Sequence, residues 1–115
     1  MKRGDVYWAE LTPRSGSEQS GRRPVVIVSN DGFNLNSRWN SVVVVPFTTS
    51  ESQRGRGASA VLIPAGLVGL QKDSVAICHQ VTTLDRSKLS TRICSLPEDL
   101  VLEVDMGLKA ALGLD

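Results

Sequence analysis

Aromatic side chains are scarce. Tyr7, Trp8, Phe33, Trp39 and Phe47 are the only five in 115 residues, too few for a surface that works mainly by stacking. Histidine occurs once, as His79, so a base-and-acid pair of histidines cannot exist within one chain. Two cysteines, Cys78 and Cys94, lack the close spacing of zinc or redox motifs and read as small buried residues in a reducing compartment. The longest continuous apolar stretches, residues 24–28 and 42–47, fall far short of the roughly 18 residues that span a bilayer. The charged start Met1-Lys2-Arg3-Gly4-Asp5 leads into no signal-type run. A cytoplasmic protein is predicted. The acids are dispersed, and no pair of them shares a motif, so neither a metal site nor a cofactor is expected.

What is present suits one globular unit. Hydrophobic residues make up 41% and charged residues 22% of the chain, which excludes general disorder, and the length suits a single domain over residues 1–115. The net charge of +1 is uninformative, but its distribution is not. Residues 1–56 hold eight Lys/Arg against five Asp/Glu, whereas residues 57–115 hold five against seven. The basic residues gather in glycine- and serine-rich stretches, Arg14, Arg22 and Arg23 in one and Arg54 and Arg56 in another. Such stretches suit phosphate groups.

Hydrophobic patterning predicts a mainly β chain closed by a helix. Strand-like runs cover residues 5–11, 24–29, 41–47, 60–63 and 74–81, with a weaker one at 91–94. Residues 24–29 and 41–47 are apolar on both faces, which places them centrally in a sheet. Short turns or helices are expected at 31–36 and 85–89. Near the C-terminus, Ser95-Leu96-Pro97-Glu98 matches a capping box. Leu100, Val101, Val104, Leu108, Ala111 and Leu112 then recur on one helical face, and Gly113 can end the helix. Two polar stretches, 12–23 and 49–59, are too long for tight hairpin turns, a common mark of functional loops.

Several segments together resemble one family. Arg3-Gly4-Asp5-Val6-Tyr7-Trp8 opens the chain; Gly16-Ser17-Glu18-Gln19 and Gly21-Arg22-Arg23-Pro24-Val25-Val26-Ile27-Val28 follow. Val44-Val45-Pro46-Phe47-Thr48-Thr49 and Asp73-Ser74-Val75 with Gln80-Val81 complete the set. These pieces, in this order, resemble the MazF/PemK family of toxin endoribonucleases over essentially the whole length. The resemblance implies an SH3-like barrel of the CcdB/PemK type, a homodimer, and cleavage of single-stranded RNA at a short sequence. It also implies a cognate antitoxin whose flexible tail occupies the RNA groove.

The residues permit that chemistry. Without clustered carboxylates or paired histidines, the remaining route is metal-independent attack of the ribose 2′-hydroxyl on the adjacent phosphorus. This leaves a 2′,3′-cyclic phosphate and a 5′-hydroxyl. A guanidinium fork suits the non-bridging oxygens, on which negative charge gathers. Arg23, extended because it precedes Pro24, stands at the position the resemblance makes catalytic, and Thr48 is the second catalytic candidate as a hydroxyl donor. Arginine stays protonated and is a poor base, so the base is left among Glu18, His79 and water. The resemblance departs at His79, where family members often carry an acidic residue. RNA-binding candidates are Ser17, Glu18, Gln19, Arg22, Thr49, Arg54, Arg56, His79 and Gln80. Trp8 and Trp39 fit either base stacking or the protein interior. Two rival readings share the fold: a CcdB-like gyrase poison, whose C-terminal tryptophan is missing here, and a catalytically silent SH3-like binding module.

Overall fold

The computed structural model describes residues 1–12, 15, 16, 18–49 and 57–114. Seven strands run as β1 (Asp5–Glu10), β2 (Arg22–Ile27), β3 (Ser41–Thr48), β4 (Ala60–Ile63), β5 (Ser74–Ile77), β6 (Thr82–Asp85) and β7 (Leu89–Ser95). Three helices, α1 (Asp31–Asn34), α2 (Ala65–Val68) and α3 (Glu98–Leu112), are interspersed. Every pairing is antiparallel, in the order β4-β5-β3-β2-β1-β7, with β6 also on β3. The ladders among the described residues leave β4 and β7 as the ends of the path, so the expected barrel is not closed by any pairing between them.

β3 is the hub of the sheet. One edge pairs Val44, Val45 and Pro46 with β2; the other serves β6 through residues 41–44 and β5 through Phe47 and Thr48. A strand so enclosed must be apolar on both faces, as its sequence is. Val26, Val45 and Phe47 join one buried cluster beneath α3, while Val25, Ile27, Val42 and Val44 join a second with Ala9, Leu11 and Leu84. The alternation of β2 and β3 thus builds two cores, one on each face of the sheet.

Helix α3 covers the first core with Leu100, Val104 and Gly107, all buried. Burying Leu100 and Val104 contributes about 1.5–3 kcal/mol each. Gly107 is required by proximity: a Cβ there would meet the Cys78 Sγ at 2.7 Å. Burial pushes the Cys78 thiol up to about 11, a smaller upward push coming from Asp105, and both cysteines are free. Gly113 ends the helix in the left-handed conformation at φ 71°, as the sequence predicted.

Three sequence expectations need correction, and a fourth is extended. The capping box does not form, because Pro97 is the N-cap and no side chain caps the helix; the Ser95 hydroxyl instead donates to Asp5 Oδ1 at 2.6 Å. The strand expected over 74–81 stops at Ile77. A 3₁₀ turn at Cys78–Gln80 breaks it before β6 begins, so His79 and Gln80 stand on a turn rather than a strand. Leu112, assigned to the buried helix face, is 57% exposed in the last turn of the helix. The weak strand at 91–94 is β7 in full, Leu89–Ser95, a long partner of β1.

Candidate nucleic-acid interface

The sheet brings Arg23 and Thr48 together by register. β2 pairs Val25 with Pro46, Val26 with Val45 and Ile27 with Val44. The ladder ends at Val25–Pro46, and Arg23 and Thr48, each two residues past that pair on its own strand, line the same cleft. On its other side Arg23 pairs with Ala9 of β1. Gly21, at φ 79°, turns the chain into β2 and donates its N–H to the Thr12 hydroxyl at 3.0 Å. The Leu11 N–H donates to the Gly21 carbonyl at 2.9 Å, so the two ends of the first loop are pinned together.

These residues open onto a cleft of about 520 Å³. It is lined by Arg22, Arg23, Thr48, Thr49, Lys72 and Ser74 on the polar side, and by Trp8, Pro24, Phe47, Leu70 and Ile93 on the apolar side. Three cations and no carboxylate line it among the described residues. Arg23 spends only its Nε, donated to the Ser20 carbonyl at 2.8 Å, which aims the side chain and leaves both Nη groups free among the described residues. Thr48 is buried, at 5% exposure. Arg22 lies over the Trp8 ring, its guanidinium carbon 4.3 Å from the ring centroid, a cation–π contact that holds it at the mouth.

Other sequence candidates are placed elsewhere. Glu18, Gln19, His79 and Gln80 do not line the cleft. Gln80 Oε1 accepts from the Gln19 N–H at 2.7 Å, which ties the first loop to the 3₁₀ turn. The Glu18 carboxylate accepts from the Ser15 hydroxyl at 3.3 Å, and His79 is exposed. Trp39 also stands apart, 47% exposed, with its ring tilted against Phe33 at 4.7 Å. Ser17, Arg54 and Arg56 lie outside the described residues. No three of His, Cys, Asp and Glu gather as metal ligands among the described residues.

Sequence reasoning missed Lys72. It sits two residues before β5, between Gln71 and Asp73, in a stretch without β or helical period. The one available signal was its isolation as the single cation between Arg56 and Arg86. The neighbouring Asp73 does not line the cleft; its Oδ1 accepts from the Ala65 N–H at 3.0 Å.

A small antiparallel fold with three cations lining one cleft and free Arg23 donors is an arrangement that suits an anion such as a phosphodiester backbone. Comparison with known proteins makes this specific. Residues 2–112 match the family described as PemK-like, MazF-like toxins of type II toxin–antitoxin systems. Endoribonuclease EndoA of Bacillus subtilis (strain 168) is 36% identical over 114 residues, covering 99% of this chain and 96% of the relative. MazF from Deinococcus radiodurans superposes with a TM-score of 0.80 at 27% identity, over 99% of this chain and 97% of that one. A MazE–MazF structure from the same organism gives 0.74 at 26% identity, over 100% and 98%. The chain belongs to the PemK/MazF family of toxin endoribonucleases. No helix among the described residues is long and apolar enough to cross a membrane.

Proposed function

We propose that this protein cleaves single-stranded RNA at a short sequence, by metal-independent attack of a ribose 2′-hydroxyl on the adjacent phosphorus. The observation that carries the reading is the cleft itself, with Arg22, Arg23 and Lys72 facing no carboxylate among the described residues. In the step, the 2′-oxygen bonds to phosphorus and its proton leaves to water. The bond from phosphorus to the 5′-oxygen then breaks, giving a 2′,3′-cyclic phosphate and a 5′-hydroxyl. Arg23 directs its free Nη donors at the non-bridging oxygens as charge builds there, and the departing 5′-oxygen takes its proton from water. Thr48 adds a neutral hydroxyl to the same oxygens. Neither Glu18 nor His79 lines the cleft, which favours water over either as the base.

The site also fits inhibition by occlusion. An acidic, flexible antitoxin segment with apolar anchors satisfies the same guanidinium groups and the same apolar wall, folding as it binds. A homodimer in the cytoplasm is the working assembly under this reading. Exposed Leu62, Leu102 and Met106 beside α3 are apolar surface that a second copy covers. Purified protein incubated with a long RNA in excess chelator tests the chemistry. Cuts at a recurrent motif with 5′-hydroxyl ends are expected, together with full protection when the cut-site ribose is replaced by deoxyribose. A strict need for added magnesium, or cleavage at the deoxyribose, overturns it.

A further inference from the structure

We propose that Trp8 and Arg22 together form a nucleobase-stacking site inside the cleft, holding the base next to the phosphate that Arg23 engages; this rests on the RNA-cleaving reading above. Trp8 is half-buried in β1 and lines the cleft rather than either core cluster. Its neighbour across the ladder is Pro24, and Arg23 pairs with Ala9 one residue on. Successive strand residues face opposite sides, and it is at the cleft that the indole and the Arg23 guanidinium come to one lining. Nucleobases in single strands stack on aromatic rings and on guanidinium planes alike. Here the two surfaces are already assembled, with Arg22 at 4.3 Å over the indole. Leu70, Ile93 and Phe47 supply apolar walls, and Thr49, Gln71 and Ser74 supply polar groups around them. A flat aromatic solute with a polar edge matches that lining; a phosphate alone leaves the apolar half unused.

The remaining features suit this site too. Arg22 is exposed and its side chain makes no hydrogen bond or close ion pair among the described residues; it is held over the indole, with the Glu10 charge nearby. Glu10 pairs with Arg22 in the ladder, but its carboxylate accepts from the Thr12 N–H at 2.9 Å. The charge of Glu10 still acts on Arg22, but no hydrogen bond ties the guanidinium to it, so its donors remain for a base or its phosphate while Trp8 keeps it in place.

Two measurements on the intact protein test the site. In the Trp39→Phe background Trp8 is the sole indole, so its emission reports the cleft directly. Titration with an RNA whose cut-site ribose is deoxyribose should quench that emission saturably, and an abasic substitution at one position beside the cut should abolish the quench. In cleavage assays Trp8→Leu should raise KM about 5- to 150-fold, the range for loss of one base–aromatic stack, with kcat changed far less. Trp8→Phe should recover most of the loss, and its folding is checked by its thermal midpoint. Unchanged Trp8 emission at saturating analogue, or a folded Trp8→Leu protein with wild-type KM, overturns the stacking site while leaving the cleavage reading intact. Wild-type protein that cuts no RNA overturns the cleavage reading instead, and an unquenched Trp8 in that protein overturns both.

Discussion

Three arginines outside the cleft, Arg3, Arg86 and Arg92, contrast with the two that line it, Arg22 and Arg23. Away from the cleft, the guanidinium groups of Arg3, Arg86 and Arg92 are consumed by bonds. Arg86 donates to the carbonyls of Phe33, Asn34, Asn36 and Trp39, so one side chain closes the segment around α1. Arg3 reaches the Val28 carbonyl and the Asp105 carboxylate, joining the N-terminus to α3. Arg92 bonds Ser95 and pairs with Asp5 at 3.5 Å. In the cleft, Arg23 uses one donor, Arg22 only a ring face, and Lys72 no ion pair among the described residues. The same residue type acts as a structural clamp where its donors are spent and as a binding group where they are left over. Partners, not identity, separate the two roles.

Single substitutions should break this contrast cleanly. Arg23→Ala should lower kcat about 100- to 1,000-fold, the usual loss for one preorganised donor at a developing oxyanion, while its thermal midpoint stays at the wild-type value. Thr48→Ala should lose less, as befits one neutral hydrogen bond; single-turnover cleavage of the same RNA ranks the two. Arg86→Ala should do the reverse. It leaves several carbonyls without their charged donor and should destabilise the fold by about 1–3 kcal/mol in denaturant titration, with cleavage per folded molecule unchanged. A folded Arg86→Ala protein with Arg23-like loss of kcat would erase the distinction.

The acid side of the structural region offers a smaller effect. Burial of Asp5 opposes its ionisation, yet hydrogen bonds from Ser95 and from the Lys2 N–H, with the charge of Arg92, together hold its carboxyl below the usual range. A folded pKa below the unfolded one adds stability above about pH 4, lost as pH falls through the lower folded value. Thermal midpoints taken from pH 7 down to acid should therefore fall less steeply for Asp5→Asn than for wild type. Smallest of all is Lys72→Ala. It should raise KM a few-fold without changing kcat, and reduce the slope of log affinity against log salt by about 0.7, one phosphate contact to a single strand. An unchanged slope would move Lys72 out of the interface.

Much of this was legible because it is local or periodic. The two-faced apolar runs of β2 and β3 required central strands, and the 3.6-residue repeat with Gly113 required α3. Arg23 stood out by its place before Pro24, whereas Thr48, at the end of a β-branched run, reads as ordinary strand chemistry and was singled out by resemblance alone. Their selection as a catalytic pair came from resemblance, since neither signal names a partner. What only the tertiary structure decided depends on residues far apart in sequence. Ser95 abandons the capping box because Asp5, 90 residues away, offers its hydroxyl a charged acceptor. Gln80 leaves the expected strand and holds the backbone of Gln19. Lys72 enters the cleft because β5 pairs with the end of β3 and carries the preceding turn beside Thr48. Hydrophobic period and backbone preference act over a few residues and can be read along the chain. The partner of a charged or hydroxyl group is chosen by which strands become neighbours, and that choice exists only once the sheet has formed.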